Sequence, residues 1–439
     1  MINRLLSLLN YGLKRINSSH FIRNVTVVGG GIAAAQATTF AFTPLLTRLY
    51  GPEAFGMAAA FSAIANIAIP LASLGYANAI VMPENSEDAG AVIRLSVLCG
   101  IIVIPLSFIA IMILKPWLII WTKIYIDTWI FYLIPIYLAI YNFLSIANQI
   151  SIREALYRQK SWSYFVSNFI ANIGKLLGGV LAPSGLMLIL LTLIGSILNL
   201  QMLILRFPNG SGFRMRSWFG LKGVRKAART HRDFAIYRVP QSLIRACSMG
   251  LPVILLASLF GPSSAGQYSV AVAILGAPAM LLGDAVGEVF YPKITRALAS
   301  QADNAEGLIL KAAGFLALAG SVPFGAIGLL GGWIFPGVLG REWLLAGEFS
   351  QWVSLWMVAM LATRPVVAAM PALRMQAVLL VYEVVVTIVR IAALYVASPF
   401  GSVASVAAYS LVNVIGYIAL MAAVLFKVYL SNRNVARAC

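Results

Sequence analysis

Tyr50-Gly51-Pro52-Glu53-Ala54-Phe55-Gly56 recurs in the second half of the chain as Phe260-Gly261-Pro262, followed by Gly266. Each copy lies in a short break between two long apolar runs, and Met82-Pro83 is matched by Tyr291-Pro292 at nearly the same offset. A repeat of about half the chain length predicts a duplicated molecule with two structurally equivalent halves.

The composition is that of a membrane protein. Hydrophobic residues make up 61% of the chain, charged residues only 10%, and the mean hydropathy is +0.89. An apolar run of about 18 or more residues is long enough to cross a bilayer, and in lipid such a run must be helical to satisfy its own backbone. The sequence predicts twelve of these spans: 25–47, 55–82, 91–114, 128–150, 162–182, 185–205, 234–259, 266–290, 310–335, 349–369, 375–397 and 403–428.

The net charge of +18 records topology and does not indicate nucleic acid as a partner. Most Lys and Arg residues fall in the N-terminal tail, the even-numbered loops and the C-terminal tail. Only Arg48, Lys115, Lys123 and Arg341 fall in loops on the other side. Positive charge accumulates on the cytoplasmic side of membrane proteins. We therefore expect a multi-pass protein with both termini in the cytoplasm.

Six helices in each half would return the chain to its starting side, so the two repeats are predicted to be parallel. The predicted fold is an all-α membrane protein with twelve transmembrane helices, arranged as two parallel-repeat six-helix lobes around a central cavity. Residues 1–206 would form the N-terminal lobe, which includes an amphipathic surface helix near Leu5 and Leu9, and residues 234–439 the C-terminal lobe.

Residues 207–233 form a basic linker between the predicted lobes. Trp218, Leu221 and Val224 suit a helix that lies on the membrane surface. The basic side chains would then attract anionic headgroups, at about 1 kcal/mol each. The alternative, which we favour, is that they only set the topology.

Sequence features of enzymes are weak. The run Val25–Ala34 matches the start of a dinucleotide fingerprint, but its apolar character continues to Leu46, so its small residues are better explained by close helix packing. Cys99, Cys247 and Cys439 are scattered, and His20 and His231 are the only histidines. The predicted external loops are too short for a catalytic domain. We expect no enzyme activity, no cofactor and no metal site.

Charged residues inside predicted spans are the candidate functional residues, because each costs roughly 2.5–3.5 kcal/mol near the bilayer centre unless it faces a cavity or a partner. Lys175, Arg245 and Arg390 are interpreted as a basic cleft for an anionic substrate. The alternative is structural pairing, with Glu383 as the obvious partner. Arg238 and Arg364 are further candidates for substrate binding, although they could also reach the interface.

Three acidic residues are candidates for coupling to an ion gradient: Glu383, Asp284 and Glu288. Asp284 and Glu288 are spaced to share one helix face near its predicted cytoplasmic end. Solvation there, or pairing with Lys293, is the simpler account of these two.

Several of these segments resemble one family. Pro44–Gly56 is similar to the first-helix signature of bacterial polysaccharide flippases of the Wzx type, within the multidrug/oligosaccharidyl-lipid/polysaccharide exporter superfamily. Ala79–Glu84 resembles its next block, and Leu255–Pro262 with Val289–Pro292 resembles the start of its second lobe. The triplet Gly75-Tyr76-Ala77 is uncharged where the family often carries charge.

The resemblance implies a V-shaped pair of six-helix bundles in the bacterial inner membrane. The implied substrate is an oligosaccharide on undecaprenyl diphosphate, moved from the cytoplasmic to the periplasmic leaflet for lipopolysaccharide O-antigen, capsule or exopolysaccharide synthesis. A glycan polymerase and a chain-length regulator of the same pathway would be partners.

Two other functions fit the sequence less well. A cation-coupled multidrug exporter of the same superfamily should carry acidic residues deep in its cleft, whereas most deep charges here are basic. A membrane glycan polymerase or ligase needs a substantial periplasmic loop, which the predicted spans do not leave room for.

Overall fold

The computed structural model describes residues 20–124, 128–207, 215–279, 305–370, 373 and 375–438, and within these ranges the chain contains helices and no strand. The helices are α1 His20–Ala72, α2 Ser86–Thr122, α3 Leu133–Arg153, α4 Tyr157–Leu181, α5 Gly185–Ile204, α6 Val224–Thr230, α7 Val239–Phe260, α8 262–279, α9 Ala305–Leu339, α10 Leu344–Ala362, α11 Arg364–Ala369, α12 Gln376–Val396 and α13 Ser402–Ala438.

Ten helical segments of the described chain are long and apolar enough to cross a membrane. The first of them, Ala33–Ala72, covers most of each of the first two predicted spans. The eighth predicted span, 266–290, is helical as far as residue 279 and then leaves the described residues. The observed helices therefore agree with the predicted all-α membrane fold of twelve spans.

The first two predicted spans are joined into one helix, α1, and are separated only by a kink. Gly51 has φ 67° and ψ 170°, which is non-helical, and the helix resumes at Pro52. Gly261, in the second copy of the signature, has nearly the same conformation, φ 91° and ψ 167°, between α7 and α8. This backbone region is open essentially to glycine alone. The repeated sequence thus produces a repeated bend.

The second predicted span, 55–82, was wrong at its end, because α1 stops at Ala72. Leu74 and Gly75 both have positive φ, and residues Tyr76–Val81 form a 3-10 turn. A Cβ on Gly75 would lie 3.0 Å from the carbonyl oxygen of Phe234. The chain reverses here because the backbone of the other half approaches closely, which hydropathy cannot reveal.

Other predicted spans differ from the helices at their ends. The predicted span 91–114 is part of α2, which has 37 residues, or about 55 Å at 1.5 Å per residue. The predicted span 349–369 is interrupted at Thr363, just before Pro365 in the first turn of α11. Proline has no backbone N–H and fits the start of a helix better than its interior.

The two copies of the repeated signature touch each other. A Cβ on Gly56 would collide with the carbonyl of Pro262, and a Cβ on Gly266 would collide with the carbonyl of Pro52. We call these four residues the glycine seam. The contact is reciprocal, as expected for elements related by a pseudo-two-fold axis. Both turns therefore lie on the same face of the molecule, as parallel repeats require.

Hydrogen bonds flank the glycine seam on both sides. The Thr47 hydroxyl donates to the carbonyl of Leu339 (3.2 Å), and Trp343 Nε1 donates to the carbonyl of Thr47 (3.1 Å). In the other direction, Lys123 Nζ donates to the carbonyl of Leu259 (3.2 Å). In each half, the end of the first span therefore contacts a loop between two helices of the opposite half. The two halves are closed against each other on this face.

Trp218 of the linker packs against protein, whereas the amphipathic pattern placed it against lipid. Trp218 is fully buried, stacks on Phe143 with 6.2 Å between ring centroids, and sits in a 3-10 turn, Met215–Trp218. Lys222 pairs with Glu87 at 2.7 Å and Lys226 with Asp88 at 3.0 Å. These exposed ion pairs contribute little. Burial of the indole therefore holds the linker against the N-terminal half.

Candidate functional site

A cavity of about 760 Å³ lies inside the N-terminal half, between α1, α3, α4 and α5. Its lining is rich in amides, hydroxyls and tyrosines, which is unusual for the interior of a membrane bundle. The polar lining residues are Thr39, Tyr141, Ser145, Asn148, Gln149, Lys160, Ser161, Tyr164, Ser167, Asn168, Asn172, Lys175, Thr192, Ser196 and Asn199.

Helix α4 provides one continuous side of this cavity. Lys160, Tyr164, Asn168, Asn172 and Lys175 follow at spacings of three or four residues, which places them on one helix face. We call these five residues the α4 polar row. A stripe of this kind in an otherwise apolar helix is stable only where it faces a polar cavity.

The central amides of the row are held in place by other side chains. Asn172 Nδ2 donates to Asn168 Oδ1 at 2.7 Å, and the Thr39 hydroxyl donates to the same oxygen at 3.1 Å. Among the described residues, the amino group of Asn168 has no partner. The row is therefore ordered before any ligand arrives and keeps a donor available.

Two buried polar atoms in the cavity wall make no hydrogen bond within the described part of the chain. They are the Ser161 hydroxyl and Asn199 Oδ1, in residues that are only 6% and 7% exposed. An unsatisfied buried polar group costs about 1–3 kcal/mol. The wall thus contains hydrogen-bonding capacity that the protein itself does not use.

The opposite walls carry shorter polar rows. On α3, Tyr141 stacks on Tyr137 with 4.3 Å between ring centroids, and the Tyr137 hydroxyl donates to Asn66 Oδ1 at 3.2 Å. On α5, the hydroxyls of Thr192 and Ser196 donate to carbonyls of their own helix, at 2.7 and 3.0 Å. Tyr141 therefore presents a fixed aromatic surface.

The charge of the cavity is positive. Lys160 and Lys175 line it, and none of the described lining residues is acidic. Neither ammonium group makes a hydrogen bond or an ion pair with a described residue. Lys175 lies near the glycine seam, since its backbone carbonyl accepts a 2.7 Å hydrogen bond from the Tyr50 hydroxyl. Lys160 lies at the other end of α4, away from the seam.

Two smaller cavities extend the site to the second half of the molecule. One, of about 280 Å³, shares Thr39, Lys175 and Thr192 with the large cavity and is closed on its far side by α8, through residues 269–274. The other, of about 220 Å³, shares Tyr141 and neighbouring residues and is lined on its far side by α7. The polar site therefore borders the space between the halves.

The structure brings some of the predicted basic residues to this site and not others. Lys175 lines the large cavity and one of the smaller ones. Arg238 lines the other small cavity and donates to Gln241 Oε1 at 3.2 Å. Arg245, two turns further along α7, is exposed and lines none of these three cavities. Its role in substrate binding stays a prediction.

Arg390 has the geometry of the structural-pairing alternative. It is buried between α12 and α13, 3.6 Å from Glu383 Oε2, and donates to Asn413 Oδ1 and to the carbonyl of Val386, each at 3.2 Å. Glu383 is half exposed. The charge of Arg390 is thus already balanced by neighbouring groups of its own half.

The remaining predicted residues lie away from the cavity or outside the described chain. Arg364 begins α11, is half-buried and lies within electrostatic range of Tyr417. Asp284 and Glu288 are outside the described residues. Ion coupling through these residues stays a prediction.

Sequence reasoning missed the amide and hydroxyl residues of the site. The signal was present, because polar residues recur at helical spacing within three neighbouring apolar spans. The central residues of the α4 polar row are uncharged, so the charged residues inside spans do not reveal it. A search for uncharged polar rows on one face of a predicted membrane helix would have found α4.

Comparison with known proteins agrees with the fold. The lipid II flippase MurJ in its inward closed conformation superimposes with a TM-score of 0.70 at 14% identity, over 93% of this chain and 90% of that chain. The inward-facing conformation of a multidrug resistance MATE family transporter of the MOP superfamily gives a TM-score of 0.67 at 13% identity, over 91% and 96%. An outward-facing conformation of a MATE family transporter gives 0.51 at 11% identity, over 94% and 96%.

No curated protein matches the sequence significantly. A family described as "Polysaccharide biosynthesis protein" matches residues 45–348, which include the repeated signature, the large cavity and the start of the second half. Because this match covers more than two thirds of the sequence, the chain belongs to the polysaccharide biosynthesis protein family.

Proposed function

We propose that the protein is a flippase that moves an undecaprenyl-diphosphate-linked oligosaccharide from the cytoplasmic to the periplasmic leaflet by alternating access. Its product would supply lipopolysaccharide O-antigen, capsule or exopolysaccharide synthesis. The observation that carries the proposal is the large polar cavity, which holds two lysines without a partner among the described residues, and no described acidic residue. The protein would lie in the bacterial inner membrane with both termini in the cytoplasm.

The cavity suits a sugar-bearing anionic headgroup. A saccharide entering a membrane must exchange its hydrogen bonds with water for hydrogen bonds with protein, since unpaired polar groups are costly away from water. Amides and hydroxyls provide these partners in the cavity. Phosphate and carboxylate groups favour cationic donors such as Lys175.

The glycine seam supports alternating access. It closes the two halves at the end of the cavity near Lys175, whereas Lys160 lies towards the opposite face. The positive-inside distribution assigns the seam to the periplasmic side. A substrate would then enter from the cytoplasm, and separation of the seam would release its headgroup on the other side.

A cation-coupled multidrug exporter is the second candidate, because the MATE transporters share the fold. Positively charged drugs favour acidic binding groups. The described cavity lining offers lysines and no acid, so like charges would repel such substrates. The charge of the cavity favours the flippase.

We expect Lys175→Gln to reduce surface polysaccharide at least about tenfold in a flippase-null host, equivalent to the loss of roughly 1.4 kcal/mol of interaction. The variant should reach the membrane in normal amount because the ammonium group has no partner to lose within the described part of the chain. Lys311→Gln, which removes an exposed cation from α9, is the matched control. Surface polysaccharide would be measured by immunoblot, and membrane abundance by an epitope tag.

Full complementation by Lys175→Gln would remove this lysine from the mechanism. If the wild-type protein failed to complement any flippase-null host but exported cationic dyes from proteoliposomes, the flippase proposal would be wrong and the exporter correct.

A further inference from the structure

We propose that the α4 polar row, with Ser161 and Asn199, forms a saccharide-binding subsite that holds the sugar residues of the substrate inside the N-terminal half. This inference rests on the proposed function and goes further by assigning the sugar, and not only the lipid diphosphate, to particular side chains. The subsite would hold several uncharged sugar residues, with anionic groups of the ligand near Lys160 and Lys175.

The dimensions of the row match an oligosaccharide. Lys160 and Lys175 are fifteen positions apart on one helix, which corresponds to about 22 Å at a rise of 1.5 Å per residue. A diphosphate alone would contact one end of this row only. The amides between the two lysines would remain unused unless the ligand extended along them.

The hydrogen-bonding groups are of the type that sugars require. A sugar hydroxyl both donates and accepts, and so do the amides and hydroxyls of the row. Asn168 and Asn172 are oriented by each other and by Thr39. A site whose donors and acceptors are fixed in advance discriminates strongly against ligands that lack the matching groups.

The unsatisfied atoms point to a ligand independently of the row. The Ser161 hydroxyl and Asn199 Oδ1 are buried on two different helices, α4 and α5, in residues more than nine-tenths buried. Neither has a partner among the described residues, although both line the same cavity. Both atoms are covered by neighbouring atoms as the side chains stand, so a bound sugar would remove the cost of the missing hydrogen bonds by turning these side chains towards the cavity.

The aromatic residues complete the subsite. Tyr141 and Tyr164 line the cavity from α3 and α4, and the stacking of Tyr141 on Tyr137 fixes its ring. A pyranose has an apolar face of C–H groups beside its hydroxyls. Rigid aromatic surfaces with a few placed polar groups are the usual lining of a small-molecule site.

The test uses the purified full-length protein in lipid nanodiscs and two probes. One probe is undecaprenyl diphosphate without sugar. The other is the lipid-linked oligosaccharide extracted from a flippase-null host that the wild-type protein complements. Affinities for both are compared among wild type, Ser161→Ala, Asn199→Ala and Gln201→Ala. Gln201 is an exposed amide on the same helix as Asn199 and lines none of the three cavities, so it is the matched control.

We expect Ser161→Ala and Asn199→Ala to weaken binding of the sugar-bearing lipid about tenfold each, and to leave binding of undecaprenyl diphosphate unchanged. Gln201→Ala should change neither. Ser161→Ala separates binding from folding: it removes a hydroxyl that has no partner in the folded chain, so the melting temperature should not fall even though affinity does.

Equal losses for both lipids would assign the cavity to the diphosphate and overturn the sugar subsite. Unchanged affinity of both variants for the sugar-bearing lipid would overturn it as well. In either case, normal translocation by the wild-type protein would leave the flippase function standing, so the two proposals fail separately.

Discussion

At the scale of single residues, burial of a cation in a membrane protein has two different explanations here. Arg390 is 8% exposed and has three polar partners, including Glu383. Lys175 lines two cavities and has no partner among the described residues. A paired cation stabilises the fold because it balances the charge of a neighbouring group, whereas a cation beside a cavity without such a partner is available to a ligand.

Arg390→Ala should therefore lower stability, by about 1–3 kcal/mol. Breaking a buried ion pair typically costs 3–5 kcal/mol, but Glu383 is half exposed and solvent compensates part of the loss. Thermal unfolding of the purified variants would show the decrease. The double variant Arg390→Met/Glu383→Gln should recover part of it, because no charge is then left unpaired. A melting temperature equal to wild type for Arg390→Ala would contradict the structural role.

At the scale of elements, the segment between the halves has an amphipathic pattern, but its tryptophan is buried by protein and not by lipid. Trp218 is fully buried against the N-terminal half, while Leu221 is 73% exposed. Gly220 and Gly223, both with positive φ, reverse the chain between this turn and α6. The segment is a connection anchored by the buried indole, and its lysines Lys222 and Lys226 pair with Glu87 and Asp88.

Trp218→Ala should destabilise the protein by about 3–5 kcal/mol, the usual loss for truncating a buried large aromatic residue. It should also expose the linker to proteases. Leu221→Ala is the control and should change stability by less than about 0.5 kcal/mol. If Leu221 instead mattered more than Trp218, in membrane binding or in stability, the linker would lie on the bilayer as its sequence pattern suggested.

At the scale of the whole molecule, the repeated signature produces a symmetric closure. The glycine seam allows backbone-to-backbone approach that any side chain would prevent. Hydrogen bonds from Thr47, Trp343 and Lys123 flank the seam, so this state of the molecule is closed on the seam face.

Gly56→Ala and Gly266→Ala should each shift the protein away from this state, because the new methyl group would overlap a carbonyl of the opposite half. Distances between spin labels placed across the seam should lengthen, and transport should fall. Gly314→Ala in α9, where a Cβ would meet no atom within 4 Å, is the control. Unchanged label distances in both seam variants would show that the contact does not control closure.

The sequence alone determined the class of the molecule and its internal repeat. The length of an apolar run is a local property, so twelve spans could be predicted from the sequence. The conformations that glycine adopts before proline are also local, so equivalent bends could be predicted at Gly51 and Gly261. Helix ends also depend on contacts between distant residues. Helix α1 ends shortly before Gly75, and Phe234, distant in sequence, lies against that glycine.

The tertiary structure decided what the polar residues do. Lys175 and Arg390 are each a single cation in an apolar span, and the sequence offers an acidic partner, Glu383, only to Arg390. One lies beside a cavity and the other beside Glu383 and Asn413, because each helix meets different neighbours when the bundle packs. The cavity itself requires the polar faces of α3, α4 and α5 to converge. Such convergence depends on helix rotation and long-range packing, which the pattern within any one helix does not contain.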